Sequence, residues 1–334
     1  VIGKDPGAVE KIYLDLYRAT RSAPHGATGM AIAGLELALW DIKGKRAGMP
    51  VWDLVGGPFR KRQRVYFSHL ATYRASNPAL FNIEPLKNLD EVAQCAVDAQ
   101  ELGYTAFKTN IVFPGSNSRS ITQGRSGPEH DQNAPRWLVD HAVDQIDAMR
   151  NAVGPEMDIC LDINFNFKTQ GAIAIASALE PFDLFWLEID NQDAKAMLQL
   201  KESTTIPITT GEQLQTVRQY QPYFDLRAMD TVKVDVQWQG FGVAKKVAEL
   251  AETYELNIAP HNYNGHLGTF QSLNLTAAVS NVRIMESDPD SAPWRDELFT
   301  VVPEVKNSYI YIPTAPGWGT ELVEEAARNY AWKG

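Results

Sequence analysis

Three short apolar runs, each closed by a carboxylate, constrain this chain more than any other feature: Asp158-Ile-Cys-Leu-Asp162-Ile-Asn164, Leu184-Phe-Trp-Leu-Glu188 and Ile206-Pro-Ile-Thr-Thr-Gly-Glu212. The acids Asp162, Glu188 and Glu212 stand 26 and 24 residues apart. One strand, one helix and two loops fill about that length, so the interval predicts successive parallel strands with the three acids on one rim. A single acid at a strand end is often only a helix cap or a solvated loop residue. Three at matching intervals repel one another unless a cation sits between them. With oxygen ligands and no cysteine or histidine among the three, the pattern predicts a hard divalent ion such as Mg²⁺ rather than zinc.

The rest of the chain supports a barrel around that rim. Residues 9–20 carry apolar side chains at helical spacing, and a longer helix is expected from Met30 to Lys45, stopped by Gly48 and Pro50. A helical turn at 52–55 meets Gly56-Gly57-Pro58, a breaker that marks a first boundary. Beyond it the pattern alternates. Strands are expected at Val65–His69, Ala106–Ile111, Ile159–Phe165, Leu184–Glu188, Pro207–Glu212, Val232–Val236, Asn257–His261 and Arg283–Glu286, with Ala- and Leu-rich helices between most of them. Eight such strands predict a parallel α/β barrel; the doubly wound alternative lacks a glycine fingerprint after an early strand. The expected division is a helical unit over 1–60, the barrel over 61–290 and a segment over 291–334 that packs back on the first unit. Phe113 to Arg136, rich in Ser, Gly, Asn and Pro, breaks the rhythm and is expected to form a lid on the catalytic rim.

Composition narrows the partners. A chain of 334 residues with 44% hydrophobic and 22% charged residues can bury a large core and shows no sign of disorder. A net charge of −10 without basic clusters excludes nucleic acid and anionic membrane surfaces as expected partners. Cys95 and Cys160 form no disulfide framework, so a reducing cytoplasm is the default location. No apolar run is long enough to cross a bilayer, and the opening Val1-Ile-Gly-Lys-Asp-Pro reads as a chain entered midway.

The same rim is expected to display Lys108 and Asn110 from the second strand, Asp235 from the sixth, His261 from the seventh and Glu286 from the eighth. Asp235 and His261 are 26 positions apart on neighbouring strands, so the carboxylate can orient the imidazole and raise its basicity. Lys108 faces them across the mouth, as a partner for a substrate carboxylate or as a base. A divalent ion beside these groups points to proton abstraction next to a carboxylate, with a protonated Glu286 donating to the other carboxylate oxygen. Asn110, Asn164 and Asn262 are expected to face a hydroxyl-rich substrate.

These motifs resemble the mandelate racemase subgroup of the enolase superfamily, over nearly the whole chain. The helical part of that family's capping domain is matched by Gly34-Leu-Glu-Leu-Ala-Leu-Trp-Asp-Ile-Lys-Gly-Lys and Pro50-Val-Trp-Asp-Leu-Val-Gly-Gly57. Its metal-ligand strands are matched by Leu161-Asp162-Ile-Asn164, Trp186-Leu-Glu188 and Gly211-Glu212, and its dyad by Asp235-Val-Gln-Trp-Gln-Gly240 with Ala259-Pro-His261-Asn. Arg283-Ile-Met-Glu286 is similar to its eighth-strand glutamate. The resemblance implies a modified (β/α)7β TIM-type barrel with a partial, mostly helical capping domain. It also implies Mg²⁺ on Asp162, Glu188 and Glu212, His261 as base or acid oriented by Asp235, and a homo-oligomer.

Three departures shape the expected activity. The second lysine of the family's Lys-x-Lys motif is Asn110, so one substrate face lacks its usual base and racemisation loses ground to loss of a β-hydroxyl. His261 could serve both steps of a syn loss, while Lys108 or His266 could assist an anti one. The acid of the family's Glu-Glu-Pro survives in Glu188-Ile-Asp190, and the capping domain's opening sheet is absent from the residues given. The leading expectation is a Mg²⁺-dependent dehydratase of a sugar acid giving a 2-keto-3-deoxy acid. A racemase, epimerase or cycloisomerase of the same fold is the alternative. A metal-free barrel glycosidase and a silent sugar-acid-binding protein are the readings from other classes.

Overall fold

The computed structural model describes residues 1–121 and 132–331. Two helices open the chain, α1 (Val9–Ala19) and α2 (Ala27–Ala47). The second begins before and ends after the expected limits. It stops at Gly48, whose left-handed φ of 67° suits a residue without Cβ, and Lys45 and Arg46 in its last turn complement the free carbonyls. Ile32, Ala33, Leu37 and Trp40 are buried along it, and the Trp40 ring meets Phe241 edge-on with centroids 5.4 Å apart.

The strands are β1 (Arg62–Phe67), β2 (Ala106–Thr109), β3 (Val112–Phe113), β4 (Arg119–Ser120), β5 (Asp158–Asp162), β6 (Trp186–Glu188), β7 (Ile208–Thr210), β8 (Thr231–Asp235), β9 (Asn257–His261), β10 (Met285–Ser287) and β11 (Tyr309–Tyr311). Eight of them pair in the order β10-β1-β2-β5-β6-β7-β8-β9, every pair along this path being parallel. The ring closes where Ile258 bridges to Val282 and its carbonyl accepts from the Arg283 N–H. Among the described residues seven helices of nine residues or more connect consecutive barrel strands: Leu89–Glu101, Arg136–Val153, Thr169–Leu179, Ala194–Glu202, Val217–Asp225, Phe241–Thr253 and His266–Ala278. This is a (β/α)7β barrel with a helical cap, the fold expected from the sequence. Helices cover the strands from outside, which is why all five residues of β8 are buried.

After β10 the chain turns back instead of adding a helix. β11 pairs antiparallel with the start of β1, and the Trp318 indole donates to the Leu37 carbonyl of α2 while its ring packs on Phe241. Of the expected lid, residues 122–131 lie outside the described residues; the portion before them forms the β3–β4 hairpin rather than an open loop.

Several strands end earlier than expected, because the backbone turns as soon as the polar rim begins. Asn164 adopts a left-handed φ of 49° after β5. Gly211 has a φ of 120° after β7, and a Cβ there would stand 3.0 Å from the Lys233 carbonyl oxygen. Only glycine fits that approach.

The alternation of side chains along the strands builds two layers inside the ring. The lower is an apolar plug of Tyr66, Ala106, Cys160, Trp186, Ala259 and Ile284. Two residues further along the same strands stand Ser68, Lys108, Asp162, Glu188, His261 and Glu286, all buried. Strand register aligns Asp162 with Glu188, and Asp235 with His261.

Candidate active site

Lys108 is the hub of the upper layer. Its ammonium lies 3.1 Å from Asp162 Oδ2, 3.0 Å from Glu188 Oε1 and 3.1 Å from Glu286 Oε1. Each carboxylate is further fixed by its own neighbourhood. Asp162 Oδ1 accepts from the Asn164 N–H at 2.8 Å, and Glu188 Oε2 accepts from the Trp186 indole at 3.1 Å. Glu286 accepts from the Ser68 hydroxyl on Oε1 and from the Asn262 N–H, at 2.8 Å, on Oε2. Glu212 follows Gly211, whose carbonyl receives the Tyr220 hydroxyl at 2.9 Å.

On the other side of the layer His261 Nδ1 lies 2.7 Å from Asp235 Oδ2. An acceptor there makes Nδ1 the protonated nitrogen and directs Nε2 inward, where it stands 3.2 Å from Glu212 Oε2 and 3.9 Å from Glu286 Oε2. Asp235 Oδ1 also accepts from the Trp238 N–H at 2.8 Å, so the helical turn after β8 locks the orienting acid.

The charges do not balance. Six buried carboxylates (Asp162, Glu188, Asp190, Glu212, Asp235 and Glu286) face two buried ammonium groups, Lys108 and Lys233, and one imidazole. The surplus shows in the titration of the cluster. Burial, with Asp162 and Glu188 nearby, pushes Asp190 up to about 7. Burial and Asp190 push Glu212 well above the usual carboxylate range. Asp190 and Glu212 lie close enough to act on each other's titration. Burial alone would lower His261, but Glu212, Glu286 and Asp235 outweigh it and hold the imidazole at about 9.

A hard divalent cation is what such a donor set lacks: oxygen ligands in excess, with acids driven towards protonation for want of positive charge. Asp162, Glu188 and Glu212 are the residues whose chemistry fits it. As placed, no three His, Cys, Asp or Glu side chains among the described residues form a ready cage for an ion. Lys108 stands between Asp162 and Glu188, and Glu212 leans towards Asp190 and His261.

The other residues singled out from the sequence fall into two groups. Asn110 spends its amide inside the protein: its Nδ2 donates to the Asp162 carbonyl at 2.8 Å and its Oδ1 accepts from Thr72 at 3.0 Å. Asn262 donates to Thr269 Oγ1 and to the Glu286 carbonyl, so it too acts as a brace, with its Oδ1 unpartnered. His266 turns away to Asp296, at 2.6 Å, and packs on Phe299. At Glu286 the hydrogen bonds run opposite to the donor role expected of a protonated carboxyl. Both its oxygens accept, and although burial would raise it, Lys108, Lys233 and His261 hold its carboxyl well below the ordinary value.

Sequence reasoning missed Lys233, His69 and the coupling of Asp190 to Glu212. Lys233 lies two residues before Asp235 in β8, in the lower layer, fully buried over the rings of Tyr66 and Trp186. It donates to the Tyr66 hydroxyl at 2.7 Å and reaches Glu188 Oε1 at 3.3 Å. A lysine on the same strand face as a rim acid was the signal available.

Comparison with known proteins places this geometry. Residues 90–326 match the family described as enolase C-terminal domain-like, and residues 1–56 match the mandelate racemase / muconate lactonizing enzyme N-terminal domain. The chain is 29% identical to a D-xylonate dehydratase of Haloferax volcanii, over 100% of this chain and 78% of that protein. It is 30% identical to a D-galactonate dehydratase family member of Pseudarthrobacter chlorophenolicus, over 100% and 83%. Among solved structures it resembles, at 37% identity and a TM-score of 0.94, a Burkholderia xenovorans protein provisionally described as an L-alanine-DL-glutamate epimerase and bound to magnesium and fumarate; 98% of this chain and 82% of that one are covered.

Proposed function

The chain belongs to the mandelate racemase / muconate lactonizing enzyme family of the enolase superfamily, in which it is an enzyme of the hydro-lyase kind, and we propose that it dehydrates a sugar acid with the help of Mg²⁺. The observation that carries this reading is the meeting of one oriented imidazole, His261, with a surplus of buried carboxylates in a single barrel layer. The substrate class is an aldonate or aldarate, and the product a 2-keto-3-deoxy acid. The sugar-acid dehydratases among the relatives support that class. The buried, unbridged Cys95 and Cys160 are in keeping with a reducing cytoplasm. Among the described residues no helix is long and apolar enough to cross a membrane.

Asp162, Glu188 and Glu212 would hold the ion. When bound, it supplies positive charge at the substrate carboxylate, without which an α-proton is too weakly acidic for an imidazole to remove. In its neutral form His261 takes the proton at Nε2. Asp235 holds the ring so that Nε2 and not Nδ1 faces the site, and balances the imidazolium that forms. Lys108 and Lys233 pair with Glu188 and hold Glu286 in its ionised form inside the barrel.

Epimerisation is the second reading, favoured by the provisional description of the Burkholderia xenovorans structure. It needs proton carriers on both faces of the α-carbon, and Asn110 stands where the family's second lysine would be. The test is a screen of acid sugars with added Mg²⁺, scored for 2-keto acid and, in deuterated water, for label at C2. His261→Asn should abolish both signals while the circular dichroism spectrum is unchanged. An epimer formed without water loss would overturn the dehydratase reading.

A further inference from the structure

Loss of a β-hydroxyl needs an acid as well as a base, and for an anti loss the two groups suggested by sequence are spoken for. Lys108 is held among three carboxylates, and His266 faces Asp296. On the strength of the dehydratase reading, we propose that His69, oriented by Asp288, is the acid that protonates the departing hydroxyl.

His69 stands just past β1, one residue beyond Ser68 of the upper layer, and Asp288 just past β10, two residues beyond Glu286. Neighbouring strands thus carry a second imidazole–carboxylate pair, as β8 and β9 carry Asp235 and His261. The Nδ1 edge is committed: it lies 3.4 Å from Asp288 Oδ2 and 3.2 Å from Ser68 Oγ. That leaves Nε2 on the opposite edge to carry the proton. The side chain is 16% exposed against 7% for Asp288, so the imidazole is the more accessible member of the pair.

Its placement is paid for locally. The φ of His69 is 51°, a left-handed conformation uncommon for a residue with Cβ, and such strain gathers at functional positions. The ring is clamped by a stack on Tyr73, centroids 4.5 Å apart, and by an edge contact with Tyr263 at 6.0 Å. Tyr263 also packs on His261 at 5.2 Å. One tyrosine ring thus contacts both imidazoles, the base and the group proposed as acid. Burial by itself would lower the His69 imidazole, and Asp288 and Glu286 more than reverse it, which favours the protonated form.

The step balances without an oxidant. His261 Nε2 first takes the α-proton, leaving an enolate-type anion of the substrate; its electron pair then forms the C2–C3 double bond as the C3–O bond breaks, and His69 Nε2–H gives its proton to the leaving oxygen, which departs as water. The enol then tautomerises to the 2-keto acid, and both histidines return to their starting states by proton exchange with solvent.

The experiment uses the Mg²⁺-loaded protein with D-xylonate and D-galactonate in deuterated water. His69→Asn should lower 2-keto acid formation by about 100-fold or more while deuterium still enters C2 of recovered substrate at a rate near that of the unaltered protein. Fluoride needs no proton to leave, so the 3-deoxy-3-fluoro analogue of the acid turned over should be processed almost normally by the same variant. His69→Gln, closer in size, serves if the asparagine variant does not fold. Dehydration within a few-fold of normal in either variant overturns the proposal, as does joint loss of exchange and dehydration with no rescue by the fluoro analogue. A protein that neither exchanges nor dehydrates any acid sugar, with His69 intact, instead overturns the dehydratase reading on which the proposal rests.

Discussion

Replacing Lys233 by Met tests the idea that the barrel interior is short of positive charge. The ammonium lies 3.3 Å from Glu188 Oε1 and 3.7 Å from Glu286 Oε2, and all three side chains are buried. At an effective dielectric of about 20 the two contacts are each worth roughly 4–5 kcal/mol before desolvation is subtracted. Breaking a buried ion pair by removing one partner costs about 3–5 kcal/mol in net stability, since the other charge stays behind. Methionine fills a similar volume against Tyr66 and Trp186, so the loss is electrostatic rather than a cavity. The assay is urea denaturation in chelator and again in excess Mg²⁺. The expected result is a loss of about 3–5 kcal/mol in chelator. Mg²⁺ should recover more stability in the variant than in the unaltered protein, because the variant's site carries one more uncompensated negative charge and a ligand stabilises in proportion to its affinity. A loss below about 1 kcal/mol in chelator, or an equal response to Mg²⁺ in both proteins, would refute the charge argument.

In chelator the pH dependence should carry the mark of His261. Its pKa in the folded protein, about 9, lies above the ordinary 6.5, so its stabilisation is complete below pH 6.5 and disappears as pH rises through 9. Denaturation midpoints between those limits should fall by the equivalent of about 3 kcal/mol, and His261→Asn should flatten the slope. Glu36 on α2 accepts from the Trp40 indole at 2.6 Å and from the Phe241 and Gly242 N–H groups at 2.9 and 2.8 Å, tying the cap to the barrel helix Phe241–Thr253. Glu36→Ala leaves three buried donors without partners and should cost about 2–4 kcal/mol in thermal denaturation, with Glu36→Gln recovering part of it.

What could be read from the sequence is what has a period. Eight apolar runs at βα spacing predicted the barrel, and the acids closing three of them predicted which end would be charged, because a strand places every second side chain on the same face. The Asp235–His261 contact was legible for the same reason: adjacent parallel strands of equal phase put residues 26 apart side by side. Strand ends were not legible to the residue. Gly211 and Asn164 turn the backbone at points set by close approach to neighbouring strands.

Contacts between distant strands were hidden altogether, and they decide the protonation states. Ser68 reaches Glu286 across a separation of 218 residues, and the Asn262 N–H meets the same carboxylate. Those two donors, with Lys108 and Lys233, turn a residue expected to give a hydrogen bond into one that only accepts. Val-Lys-Val-Asp235 reads as an ordinary strand in which a lysine faces water, yet its lysine points into the ring because it shares a face with Asp235. An ammonium in that position is tolerable only where carboxylates outnumber cations. The same surplus raises Asp190 and Glu212, so the buried lysine and the protonated acids report one local condition: a site whose negative charge exceeds what its own side chains neutralise.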